Sequence, residues 1–137
     1  MMNEVMASLS GLIPFLKYFG GGVGLVLVFS LVYLLVTPYP EVKLIRGGSV
    51  APAISFGGAI FGFICPLVAA ISHSVSFLDM VLWALVALCV QVATFLIIRI
   101  FLPSLIKNVE KNQLSSAILI AIISIAVGMV NAASMTY

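Results

Sequence analysis

Charged positions cut this sequence into long uncharged stretches. None lies between Lys17 and Glu41, only the titratable His73 between Arg46 and Asp79, none between Asp79 and Arg99, and none after Lys111. A helix that spans hydrocarbon needs about 20 mainly apolar residues at about 1.5 Å of rise each. The stretches therefore predict four spanning helices, over 18–37, 49–72, 78–101 and 114–135. Lipid satisfies no backbone N–H or C=O group, so helices are the open choice. Barrel strands would be shorter and would alternate polar with apolar residues, which these runs do not.

Local chemistry marks each boundary. Thr37-Pro38-Tyr39-Pro40 ends the first span, because proline lacks a donor and restrains the residue before it. Gly47-Gly48-Ser49 opens the second, with Ser49 as the expected N-cap, and Leu102-Pro103 closes the third. The link from Ser72 to Phe77 is short enough to force an antiparallel hairpin. Tyr18, Tyr39, Phe77 and Tyr137 fall near the expected interfaces, where aromatic anchors belong.

Composition supports lipid as the solvent. Of 137 residues, 64% are hydrophobic and 7% charged, and mean hydropathy is +1.33. Soluble domains average about 25% charged residues. A net charge of +2 without a clustered basic patch gives no reason to expect nucleic acid. Cys65 and Cys89 sit in apolar runs without CxxC spacing, so buried, inert thiols are expected, with no disulfide framework and no metal site. Glu4, Pro14 and Lys17 make the start unlike a cleaved signal, and the first span is expected to stay in the mature protein.

Cations set the orientation. Lys43, Arg46, Arg99, Lys107 and Lys111 lie in the first and third connections, against Lys17 alone elsewhere. The positive-inside rule then places those two connections in the cytoplasm and both termini outside. The expected organisation is an extracytoplasmic tail over 1–17, a first two-helix unit over 18–72 and a second over 78–137.

The two units look duplicated. A slide of 64 residues places Lys43 on Lys107 and Ala53-Ile54 on Ala117-Ile118; a slide of 63 places Pro40 on Pro103 and Ala69-Ala70 on Ala132-Ala133. Two-helix units enter the membrane in the same direction, so the expectation is a parallel repeat.

Gly48-x-x-Ala51-x-Ala53-Ile54, Pro66-Leu67, Gln91 and Ala126-x-Gly128-x-x-Asn131-Ala132-Ala133 occur in that order. In this arrangement, over roughly residues 15 to 137, the chain resembles the YjfL-type bacterial inner-membrane proteins, a duplicated two-helix family of unknown function. The resemblance implies a bacterial inner-membrane location and no established activity. Relatives commonly open the second helix with Asn, where this chain has Ser49-Val50.

Small residues form the strongest pattern. Ser55, Gly58, Gly62, Pro66 and Ala69-Ala70 step by three or four along the second span, as do Ala117, Ala121, Ser124, Gly128 and Asn131-Ala132 along the fourth. Such stripes let helices approach closely, either within one bundle, the favoured reading, or between copies. Pro66 removes its own donor and presses on the Gly62 carbonyl, predicting a kink there. Gln91, with Thr94 one turn on, and Asn131 are read either as glue between helices or as a polar lining. His73 and Asp79 make an outer-side polar pair, read as loop residue and helix cap or as a proton relay. The five inner cations form a basic rim suited to anionic lipid or an acidic partner.

No span carries an ionisable residue at its centre, unlike most ion-coupled transporters. No nucleophile–base pair, cofactor motif or metal cluster appears, which argues against an enzyme. The favoured reading is an all-α, non-enzymatic inner-membrane subunit that forms homo-oligomers and anchors a cytoplasmic or lipid partner. The alternative is an oligomeric channel or transporter.

Overall fold

The computed structural model describes residues 1–135. Its elements are α1 (Met2–Ser10), α2 (Leu12–Val36), α3 (Glu41–Arg46), α4 (Val50–His73), α5 (Phe77–Phe101), α6 (Pro103–Glu110) and α7 (Leu114–Ser134), with no strand among the described residues. Four helices are long and apolar enough to cross a membrane: Met2–Val36, Val50–His73, Phe77–Phe101 and Leu114–Ser134. Three match the sequence windows to within two residues at either end. The first is longer, because Gly11 keeps right-handed helical dihedrals of −78° and −13° and joins α1 to α2. The segment expected to be a tail is therefore mostly helix. Tyr137 lies outside the described residues.

The bundle turns a globular pattern outward. Large apolar side chains such as Phe19, Leu31, Leu35, Phe61, Ile97, Phe101 and Val130 cover its outside, while small and aromatic residues fill its centre. Cys89 belongs to this outer surface and Cys65 is half-buried, so the expectation of a buried thiol fails at Cys89. The reason is periodic: Ala84, Ala87 and Gln91 mark the inner face of α5, and position 89 falls on the other side.

α2 is held by rings. Phe29 stacks on Phe63 with centroids 4.7 Å apart, and Tyr33 stacks on Phe56 at 5.4 Å and meets Phe95 edge-on at 5.1 Å. Such pairs contribute about 0.5–1.5 kcal/mol each beyond their buried area. Nearer the other end of α2, Tyr18 meets the edge of Phe77 at 5.8 Å and the Lys17 ammonium stands 5.0 Å over the same ring.

Both cation-bearing connections lie at one end of the bundle, called here the basic end, and each folds into a short helix, α3 or α6. Ser49 occupies the N-cap position of α4 but makes no side-chain cap bond. The cap comes from the other connection: Asn112 Oδ1 accepts from the Ala51 N–H at 2.8 Å. The expected cap residue was right in place and wrong in function, because a neighbouring loop supplies the acceptor.

Candidate functional site

α4 and α7 run in the same direction, and their small residues face one another. A side-chain carbon added to Gly58 would overlap Ala121, one on Gly62 the Ser124 carbonyl, and one on Gly128 the Gly62 carbonyl. Ser55, Gly58, Gly62 and Pro66 on α4 are buried, as are Ala121, Ser124 and Gly128 on α7, while Ala132 is half-buried. Without a hydrophobic drive in lipid, this backbone-to-backbone approach is what lets two helices adhere. Both stripes meet each other inside a single chain.

Gln91 reaches into that seam from α5 and is only 3% exposed. Its Nε2 donates to the Gly62 carbonyl at 3.0 Å and to the Ser124 carbonyl at 3.3 Å. The first acceptor has a sequence cause. In a helix the Gly62 carbonyl would take the N–H of residue 66, and Pro66 has none. The amide of Gln91 supplies the missing donor and ties α4, α5 and α7 together.

The other membrane-depth polar residues do not join it. Thr94 Oγ1 donates to the Val90 carbonyl of its own helix at 2.8 Å. Asn131 lines an outward groove with Val90, Ala126, Val127, Val130 and Ser134, and its buried Nδ2 has no acceptor among the described residues.

At the end opposite the cations, His73 is exposed at the close of α4. Asp79 shapes the turn into α5: its Oδ2 accepts from Val75 N at 3.1 Å, and Ser76 Oγ accepts from Asp79 N at 3.1 Å. Ser76 thus caps the helix through Asp79 N, and the Asp79 carboxylate reaches back one residue past the cap to Val75 N.

Lys43, Arg46, Arg99, Lys107 and Lys111 are all exposed at the basic end. None takes part in an ion pair among the described residues. Arg99 bends back, Nη1 donating to the Val36 carbonyl at 3.0 Å and so tying α5 to the end of α2.

Beneath this rim lies a group that the sequence reading treated only as a charge marking a boundary. Glu41, first residue of α3, is 2% exposed, and both its carboxylate oxygens are buried without a hydrogen bond. The Tyr39 hydroxyl beside it is also buried and unpartnered. Tyr33 from α2 and Ser55 from α4 share a bond of 3.2 Å, with Tyr33 close enough to Glu41 to sense its charge and Ser55 in reach of Tyr39. The Thr37 hydroxyl also acts on the carboxylate but donates to the Leu34 carbonyl at 3.0 Å. Burial lifts the Glu41 carboxyl from its ordinary 4.5 to about 8, against a smaller opposing pull from Thr37. Burial, then the nearby Glu41 charge, pushes the Tyr39 phenol upward as well. The available signal was compositional: one acid between Pro40 and an apolar Val42, in a connection otherwise basic.

Comparison with known proteins follows the same lines. The family described as Domain of Unknown Function (DUF350) matches residues 6–135. The chain is similar to the "UPF0719 inner membrane protein YjfL" of Escherichia coli (strain K12), with 31% identity over 132 residues, covering 96% of this chain and 100% of that protein. The protein of the same name from Escherichia coli O157:H7 gives the same figures. No solved structure matches.

Proposed function

We propose a structural role for this chain, which belongs to the family described as Domain of Unknown Function (DUF350): it is a non-catalytic, multi-pass inner-membrane subunit that holds an acidic partner at its basic end. The observation that carries this reading is the rim itself, in which Lys43, Arg46, Lys107 and Lys111 stand exposed on two connections that meet at one end. Each such cation adds about 1 kcal/mol of attraction to an anionic surface. By the positive-inside rule that end faces the cytoplasm and both chain ends face away from it. Support for a scaffold over a conduit comes from the seam, where the Gln91 amide is spent on the Gly62 and Ser124 backbone carbonyls.

Self-association is the second part of the reading. What supports it is the Asn131 amide, a donor without an acceptor beside an apolar groove at membrane depth. The small-residue stripes are occupied within the chain, so copies would meet along α5 and α7 instead. An oligomeric pore remains the alternative form of the same association. Crosslinking through Cys89, exposed on α5, tests it in membranes, and a strictly monomeric outcome removes both the oligomer and the pore. The scaffold is tested by capturing cytoplasmic proteins and anionic lipid on nanodisc-embedded protein, wild type against Lys43, Arg46, Lys107 and Lys111 all changed to Gln. Undiminished capture overturns it.

A further inference from the structure

Two polar side chains at α3 stand buried and without hydrogen bonds. A carboxylate that is 2% exposed has neither oxygen hydrogen-bonded, and a tyrosine hydroxyl that is 4% exposed on Tyr39 is equally unpartnered. Buried polar groups are almost always paired, and a buried charge is paired or coordinates a cation. Among the described residues no cationic side chain is buried beside it. Lys43 and Arg46, on the same short helix, are exposed; Glu110, the charge on α6 that faces Tyr39, is negative; α2 and α4 contribute only the hydroxyls of Tyr33, Thr37 and Ser55. The side-chain groups that α2 and α4 bring toward the carboxylate are thus hydroxyl oxygens, while Lys43 and Arg46 stand exposed in the groove outside it.

We propose that Glu41 and the hydroxyls of Tyr33, Tyr39, Thr37 and Ser55 form a binding site for one small alkali cation, of the size of sodium or lithium. Hard cations select oxygen ligands, and a single carboxylate balances a single positive charge. Larger or doubly charged ions fit less well: no group of three acidic, His or Cys ligands gathers anywhere among the described residues. Access is at hand, since Tyr39 and Glu41 also line an open groove of about 500 Å³ with Leu34, Pro40, Val42, Lys43 and Arg46. The inference stands apart from the scaffold reading and from the orientation of the chain.

A carbodiimide that labels carboxyls in apolar surroundings tests it on the intact protein in detergent. Glu41 takes the label, located by peptide mass spectrometry, while exposed Glu4 and Glu110 report on general reactivity. Sodium or lithium chloride slows labelling at Glu41 about tenfold once the ion exceeds its dissociation constant about tenfold, and choline chloride does not. In the Tyr39→Phe and Ser55→Ala variants labelling persists but needs more sodium to suppress. Labelling at Glu41 that ignores every alkali cation leaves the proton as sole occupant and overturns the proposal. So does the absence of labelling at Glu41.

Discussion

Gly48 and Asn112 stand 64 positions apart and share one backbone state, the left-handed region, with φ of 93° and 64°. The bonds around them repeat at the same spacing. Gly47 N donates to Lys43 O as Lys111 N does to Lys107 O, Gly48 N to Ile45 O as Asn112 N to Val109 O, and Ser49 N to Leu44 O as Gln113 N to Asn108 O. Two connections with different side chains close by the same turn.

Left-handed backbone costs most side chains about 1–2 kcal/mol, and Asn less. Gly48→Asn is therefore expected to leave the thermal midpoint close to wild type, whereas Gly48→Val lowers stability by about 1–2 kcal/mol. Unfolding in detergent followed by circular dichroism distinguishes them. Equal tolerance of both changes would contradict the turn.

Gln91 and Pro66 should be energetically coupled through the Gly62 carbonyl. Gln91→Leu leaves that carbonyl buried without a donor, a loss of about 1–3 kcal/mol. Pro66→Ala returns a backbone N–H four residues on, so Gln91→Leu costs less in that background. A double-mutant cycle in mixed detergent measures the coupling. Additive losses would separate the two residues.

Packing along α4 predicts a sharp difference between adjacent glycines. Gly58 lies against Ala121, while Gly57 has nothing within 4 Å of an added side-chain carbon. Gly58→Leu is expected to destabilise by about 1–3 kcal/mol or to block folding, and Gly57→Leu to be neutral or better. The yield and midpoint of the two purified variants check this.

Burial of Glu41 sets a pH dependence in sodium-free buffer. Its carboxyl titrates near 8 when folded against an ordinary 4.5, so unfolding releases a proton between those values. The stabilisation that goes with the neutral form is whole below about 4.5 and fades as pH climbs toward 8. Wild type should lose stability across that window, and Glu41→Gln should lose less. A midpoint that is flat from pH 5 to 8 in wild type would count against the burial.

The spans were legible because charge is expensive in lipid, so four gaps between charged residues mark four helices whatever their details. The short helices were not. α6 buries Ile106 and Val109 and exposes Lys107 and Glu110, a real period, but eight residues give it little weight against the Pro103 break. For Gln91 half of the answer could be read: Pro66 identifies Gly62 as the carbonyl without a donor, but only tertiary packing brings α5 past that point. Glu41 was missed for a physical reason. A lone acid in a basic connection reads as solvated, and its burial depends on how α3 folds down over Tyr33 and Ser55.

The first helix has a consequence of its own. Thirty-five residues from Met2 to Val36 extend about 52 Å as a helix, against a hydrocarbon thickness of about 30 Å. Ordinary tilt absorbs only part of that difference in length, and α1 carries Asn3, Glu4, Ser8 and Ser10 with no residue buried against the bundle. The excess of about 22 Å amounts to about four turns, and the spans expected from the sequence would carry it past the hydrocarbon at the end away from the cations.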